Sequence, residues 1–315
     1  MLRIGVLGVG YLGRIHMQLL HELPELYSSI SFFDPDMKAA KQAAEQFGIE
    51  PCHSVDALID SVDVVDIVSS TTSHYQCAAN AIRNFKHVFI EKPITTTLEE
   101  STSLIKLAKE AQIFGQVGHI ERFNPAYLAV KNQLKNTTYI EAHRLNKYHG
   151  RNTDISVVTD LMIHDIDLIL SLTNANVRRI SANGSRVLSN NVDIANARIE
   201  LDNGCVANLT ASRIAYEGVR KMRFYQAEQC FISDFLNKEA YALALENEQI
   251  EKTNIPVLEV NALKHELETF GTCILKQQEP PVSLEDGHRA LAVAELISEK
   301  IKQGVWGNVE DESLS

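Results

Sequence analysis

The sequence predicts a doubly wound α/β unit followed by an α+β unit built on a mostly antiparallel sheet. Short apolar β-type runs alternate with helical stretches up to Gly118, which is the rhythm of a parallel sheet flanked by helices. A glycine turn, Gly8-Val9-Gly10-Tyr11-Leu12-Gly13, directly follows the first of these runs. Beyond Gly118 the apolar runs are joined by turn signals instead of helices. At 315 residues the chain has room for two domains of about 150 residues each. The expected division is 1–118, 119–303 and a polar, acidic tail at 304–315 left disordered.

In the first domain the expected strands are 2–7, 30–33, 64–69, 87–90 and 113–117. Between them, 37–47 repeats Ala39, Ala40, Ala43, Ala44 and Phe47 at helical spacing, and 98–111 does the same with Leu104, Leu107, Ala108 and Ala111. The second domain offers strands at 139–145, 177–187, 194–201, 205–212 and 230–235. Asp202-Asn203-Gly204 between the third and fourth of these marks a hairpin. Helices are expected at 160–172, 259–275 and 287–301.

Composition narrows the function. Thirty basic residues against 41 acidic ones leave a net charge of -11, a field that repels nucleic-acid backbones and anionic membranes. No apolar run approaches the roughly 20 residues of a membrane span, and the glycine-containing start does not resemble a secretory leader. The five cysteines, Cys52, Cys77, Cys205, Cys230 and Cys273, stand apart without zinc-site spacing, which fits reduced thiols in the cytoplasm.

The glycine turn lies between a strand and a helix, so its first two glycines allow a tight turn and close approach of a pyrophosphate to the helix N-terminus. Gly13 allows helix and strand to pack closely. Asp34 closes the second strand, where a carboxylate accepts hydrogen bonds from the adenosine ribose hydroxyls and repels a 2′-phosphate, favouring NAD over NADP. Gly8, Gly10, Tyr11, Leu12, Gly13 and Asp34 are therefore the expected cofactor-binding residues at this end.

Glu91-Lys92-Pro93 closes the fourth strand at the carboxyl edge of the sheet, where doubly wound folds keep their ligand crevice. A lysine there can hold a developing alkoxide. In Asp160-Leu161-Met162-Ile163-His164 a carboxylate and an imidazole share one helix face, and the imidazole suits proton transfer at neutral pH. The nearby Asp165 and Asp167 do not complete a metal site, since Asp165 points off that face; no metal is expected.

Taken together, the glycine turn, Asp34, Thr71-Thr72-Ser73-His74, Glu91-Lys92-Pro93 and the Asp160/His164 pair resemble the glucose-fructose oxidoreductase, inositol dehydrogenase and MocA family over nearly the whole chain. That resemblance implies a Rossmann domain before an α/β domain whose open sheet packs in homodimers or homotetramers. It implies that Lys92, Asp160 and His164 serve hydride transfer, with Ser70, Thr71, His74, Glu91 and Lys92 on the cofactor. Thr72 replaces a proline that many members carry.

The wording Gly118-His119-Ile120-Glu121-Arg122-Phe123-Asn124-Pro125-Ala126 resembles the nucleotide-sugar branch of that family. This implies oxidation of C3 of a UDP-sugar such as UDP-N-acetylglucosamine, with an aminotransferase consuming the ketone. A diphosphate on so acidic a chain needs local cations. Arg122, Asn124, Arg144, Arg151 and Arg213 are the candidates, alongside Lys147, His143 and His149 in one basic stretch and Arg220, Lys221 and Arg223 in another. Alternatives are a dehydrogenase of free polyols or monosaccharides and a catalytically silent NAD-binding regulator.

Overall fold

The computed structural model describes residues 1–148, 150 and 154–305. The expected tail at 304–315 lies almost wholly outside them. Along the chain come β1 (Leu2–Leu7), α1 (Tyr11–His21), β2 (Tyr27–Phe33), α2 (Met37–Phe47), α3 (Val55–Ser61), β3 (Val64–Ile67), α4 (Thr71–Arg83), β4 (His87–Glu91), α5 (Leu98–Ala111) and β5 (Gly115–Gly118). Next are α6 (Pro125–Lys131), β6 (Tyr139–Lys147), α7 (Ile163–Thr173), β7 (Val177–Ser185), β8 (Ile194–Leu201), β9 (Val206–Ala215) and β10 (Val219–Gln226). The last are β11 (Gln229–Asp234), β12 (Glu239–Glu246), β13 (Gln249–Ile255), α8 (Ala262–Lys276) and α9 (Leu284–Val305).

Two compact units divide these elements, the first comprising 1–123 with 260–288 and the second 124–259 with 289–315. This corrects the expected boundary, which placed 260–288 with the second domain. The physical reason is the apolar face of α8: Leu263, Leu267, Phe270 and Ile274 join the core of β1, β2 and α1. Tyr27 adds a hydrogen bond from its hydroxyl to the Leu267 carbonyl at 2.8 Å.

The first unit holds a parallel sheet in the order β2-β1-β3-β4-β5. Strands β1, β3, β4 and β5 are buried almost throughout, as a doubly wound sheet requires, while the edge strand β2 is partly exposed. Helix ends carry their own signals. The Asp36 carboxylate accepts the Lys38 backbone N–H at the start of α2, while Thr97 and Glu100 form a reciprocal capping box on α5. Chain order reverses between β1 and β3, and at such a switch point the strand ends diverge to open a crevice.

The second unit holds an eight-stranded sheet in the order β13-β12-β11-β10-β6-β9-β8-β7, antiparallel throughout except for β6 beside β9. One face packs against α6, α7 and α9 through Tyr127, Ile166, Ile169, Val293 and Ile297. Three of its strands were not expected: β10, β12 and β13. In β12 the run Glu239-Ala240-Tyr241-Ala242-Leu243-Ala244-Leu245-Glu246 consists largely of good helix formers. It becomes a strand because Asn247 and Glu248, with φ of 48° and 64°, make a tight left-handed turn into β13.

Asp193 knots the loop between β7 and β8. Its carboxylate accepts the backbone N–H groups of Val187, Leu188 and Ser189 at 2.7, 2.7 and 2.9 Å and the Ser189 hydroxyl at 2.7 Å. Burial opposes the charge, but these donors outweigh it and hold the carboxyl down at about 2. A depressed carboxyl pKa contributes stability that is present above the ordinary value of 3.8 and is lost as pH falls toward the folded value. Asp193→Asn is therefore expected to cost about 2 kcal/mol at neutral pH. Urea unfolding of both proteins should show that gap closing between pH 4 and pH 2.

Candidate active site

The glycine turn fills the switch point of the first unit. Gly8 has a φ of 93°, and a Cβ there would lie 2.7 Å from the Ser69 Cα. A Cβ on Gly13 would lie 1.9 Å from the Gly8 carbonyl oxygen, so α1 leaves β1 at a distance only glycine permits. Gly10, the N-cap of α1, has open space where its Cβ would be. The first turn of α1 carries no acidic side chain, which leaves its N–H groups and dipole available to an anion. Tyr11 and Leu12 open the helix and stand exposed.

Asp34 leaves the end of β2 and turns back onto this loop. One carboxylate oxygen accepts the Val9 backbone N–H at 2.7 Å and the other accepts the Asp36 N–H at 2.8 Å. Each oxygen keeps a lone pair for a ligand hydroxyl. A cavity of about 600 Å³ opens here, lined by Gly8, Gly10, Phe33, Asp34, Ser70 and Ser73 among others. A glycine cradle, a helix N-terminus and a fixed carboxylate in one cavity fit the pyrophosphate and ribose of a dinucleotide. Ser69, Val55 and Cys77 also line it; no motif in the sequence singled them out.

Ser70 caps α4, with its hydroxyl 3.2 Å from that of Thr72, and Thr71 is half-buried at the first helical position. His74 corrects the expectation of a cofactor contact. It is buried, with Nδ1 3.0 Å from the Pro93 carbonyl oxygen and Nε2 3.0 Å from that of Ser69. It is a brace between two strand ends. Burial, only partly offset by these carbonyls, pulls its pKa down. Glu91 is likewise turned inward, with one oxygen 3.3 Å from His16 Nε2 and the other accepting the Lys92 backbone N–H at 3.2 Å. Lys92 itself is half-buried at the mouth of β4.

In the second unit Asp160 does not sit in an ordinary α-helix, as expected. Residues Val158–Met162 form a π-helical turn that runs into α7, a widened geometry frequent at functional sites. Asp160 lies within that turn and His164 in the first turn of α7, both half-buried. Asp165, next in sequence, anchors α7 to β6 through Arg144. Arg144 Nη2 donates to Asp165 Oδ1 at 2.7 Å, and Nε lies 3.2 and 3.1 Å from the two oxygens.

That pairing corrects the reading of Arg144 as a diphosphate contact, because its guanidinium is buried and held by Asp165. Arg213 is also buried, held by the Ile155 carbonyl and by Asp193 at 3.7 Å, and so supports the segment entering the π-helical turn. In the first unit Arg122 donates to the Pro281 carbonyl at 2.9 Å and pairs with Asp286 at 3.3 Å. Asn124 caps α6 and donates to the Phe235 carbonyl at 3.3 Å. Lys221 and Arg223 pair with Asp234 and Glu141, while Arg220 reaches the Asn146 side chain. His149 and Arg151 lie outside the described residues.

The first unit is thus a dinucleotide-binding Rossmann unit whose cradle, acid and cavity belong together. Residues 2–119 match the NAD-binding Rossmann fold of the GFO/IDH/MocA oxidoreductases, and residues 108–229 match that family's C-terminal domain. The chain belongs to the GFO/IDH/MocA family. It is 39% identical to the UDP-N-acetylglucosamine 3-dehydrogenase of Acidithiobacillus ferrooxidans over 237 residues, 75% of each chain. A crystal structure of UDP-N-acetylglucosamine 3-dehydrogenase GnnA from that organism superposes with a TM-score of 0.91 at 34% identity, covering 96% of this chain and 98% of that one. The scyllo-inositol 2-dehydrogenase (NAD(+)) of Bacillus subtilis is 28% identical across 96% of this chain and 95% of its own length.

Proposed function

We propose that this oxidoreductase oxidises the C3 hydroxyl of UDP-N-acetylglucosamine, or of a closely related UDP-sugar, to a ketone with NAD. The observation that carries this reading is the likeness, over nearly the full length of both chains, to a UDP-N-acetylglucosamine 3-dehydrogenase. Bound NAD supplies the hydride acceptor. The glycine cradle and Asp34 would hold its pyrophosphate and ribose. Lys92 donates a hydrogen bond to the sugar oxygen as negative charge grows on it, His164 accepts the hydroxyl proton, and Asp160 keeps sugar and imidazole in register. With Arg122, Asn124, Arg144 and Arg213 engaged by other partners, Arg151 and Lys147 of the basic stretch are the expected cations for the diphosphate.

Preference for NAD follows from Asp34, whose negative charge opposes a 2′-phosphate. Asp34→Asn can keep the acceptor for the Val9 N–H, while it removes the charge and the acceptor for the Asp36 N–H. Calorimetric titration should show NADP binding tightened and NAD binding weakened, each by about tenfold. Unchanged affinities for both would remove Asp34 from cofactor choice.

We further propose a homodimer or homotetramer packed through the sheet face opposite the second unit's core, which carries Tyr139, Tyr225 and the Arg223–Glu141 pair. Light scattering reads the assembly size. Among the described residues no helix is long and apolar enough to cross a membrane.

The deciding experiment offers the protein NAD, an aminotransferase to trap the ketone, and separately UDP-N-acetylglucosamine, UDP-glucose, myo-inositol and glucose, with products read by mass spectrometry. A 3-amino product from UDP-N-acetylglucosamine supports the proposal. Oxidised inositol or glucose in its place moves the protein to polyol or monosaccharide oxidation. No product from any of them, with NAD binding intact, leaves the regulator reading.

A further inference from the structure

Behind the mouth of β4 three titratable side chains meet out of water. His16 lies on the inner face of α1 and is wholly buried, with Nδ1 2.9 Å from Asp66 Oδ2 on β3 and Nε2 3.3 Å from Glu91 Oε1 at the end of β4. Phe89 packs its ring against the imidazole at 5.8 Å between centroids. Burial disfavours a charged imidazole, but the two carboxylates outweigh it and raise His16 to about 10. The two carboxylates thus favour the imidazolium form, in which both ring nitrogens carry a proton. The same contacts hold the Glu91 carboxyl below its ordinary range against the effect of burial. Burial prevails at Asp66, whose pKa rises.

The second oxygen of Glu91 accepts the Lys92 backbone N–H at 3.2 Å. Gly118 on β5 makes room for that carboxylate, since a Cβ there would lie 2.7 Å from Glu91 Oε1. On the far side of Lys92, His74 braces the Pro93 carbonyl. The main chain of Lys92 is thus held on one side by a carboxylate that is itself held by His16. A buried ion cluster is often no more stabilising than apolar side chains of the same volume, so fold stability alone gives little reason for one here. What the cluster does fix is the direction of the Glu91 carboxylate.

We propose that His16 is a positioning residue for Lys92: it holds the Glu91 carboxylate that fixes the Lys92 backbone, and so sets where the Lys92 ammonium stands. This rests on the reading of Lys92 as the group that meets the substrate oxygen.

Two substitutions separate the halves of the clamp. His16→Gln places an amide donor near the position of Nε2, keeping the Glu91 contact and giving up Asp66. His16→Asn places its amide near Nδ1, keeping Asp66 and giving up Glu91. The expected result is that His16→Asn loses about 100-fold in kcat, the scale of a small misplacement of a reacting group, with KM for NAD unchanged within about threefold. His16→Gln keeps most of the turnover, although it is the less thermally stable of the two because it strands the wholly buried Asp66. A purely structural histidine gives the same order in activity as in melting temperature, and that outcome overturns the proposal.

A second readout needs no substrate. Acetylation of the lysines, followed by peptide mass spectrometry, should show the Lys92 rate changed in His16→Asn relative to the other lysines and near wild type in His16→Gln. Should wild type oxidise no sugar, the proposed substrate fails while this labelling still decides the role of His16. If His16→Asn does not fold, Glu91→Gln takes its place in the labelling, with a changed Lys92 rate expected. An unchanged Lys92 rate overturns the proposal.

Discussion

His164→Ala and Lys92→Ala are each expected to lower turnover by about two to four orders of magnitude, the range for loss of a general acid or base. Dinucleotide affinity should stay within a few-fold of wild type in both. Lys92 shares the first unit with the cavity at the switch point but is not among the residues that line it. Asp160→Asn should lose less on the proposed reading, in which its carboxylate orients and takes no proton. Lys92→Arg should not restore activity, since a planar guanidinium cannot present a compact point charge in the place of an ammonium. Combining His164→Ala with Lys92→Ala should cost little more than the worse single change, as groups acting on one oxygen are far from additive. Single-turnover rates beside calorimetric NAD titrations test all five variants. Near-normal turnover in both alanine variants, with NAD bound, would remove them from the chemistry.

The parts of this site that were legible in the sequence are those whose meaning is local. Gly8, Gly10 and Gly13 declare a strand-to-helix turn within six residues, and Asp34 declares itself by standing at the end of the next strand. The two-unit plan was legible for the same reason, because alternation of strand and helix is a short-range pattern. The arginines were misread because their meaning is not local. Arg144 meets Asp165 from another element, Arg122 meets Asp286 far along the chain, and Arg213 meets Asp193 across a strand pair. A cation whose acid lies in a distant segment looks like a free one.

His16 was passed over because it is one polar residue on an otherwise apolar helix face, and its partners arrive on β3 and β4. Nothing in residues 156–165 announces a π-helical turn either; the contacts flanking it, Arg213 to the Ile155 carbonyl and Arg144 to Asp165, come from other elements. The same holds for α8, whose apolar stripe is plain in the sequence while the core it joins is not.

Gly13→Ala and Gly10→Ala form the second pair with large expected effects, and they should part company. At Gly13 the new Cβ would stand 1.9 Å from the Gly8 carbonyl oxygen, a backbone atom that cannot rotate aside. Relief requires α1 to lift from β1, opening the packing of Met17 and Leu20 against the core they share with Val6. Overpacking of this kind costs about 3 kcal/mol or more, a large share of the 5–15 kcal/mol typical of a folded domain. Both melting temperature and NAD binding should fall. At Gly10 the Cβ meets nothing within 4 Å and φ is -61°, so any weakening of the cap is offset by the smaller freedom of the unfolded chain. The melting temperature should hold. Yet that methyl group enters the open space at the N-terminus of α1, where a pyrophosphate needs close approach to the backbone N–H groups, so NAD affinity should fall about 100-fold from lost charge-assisted hydrogen bonds. If Gly10→Ala binds NAD like wild type while keeping its fold, the pyrophosphate does not lie on this turn, and the cofactor assignment must move elsewhere in the first unit.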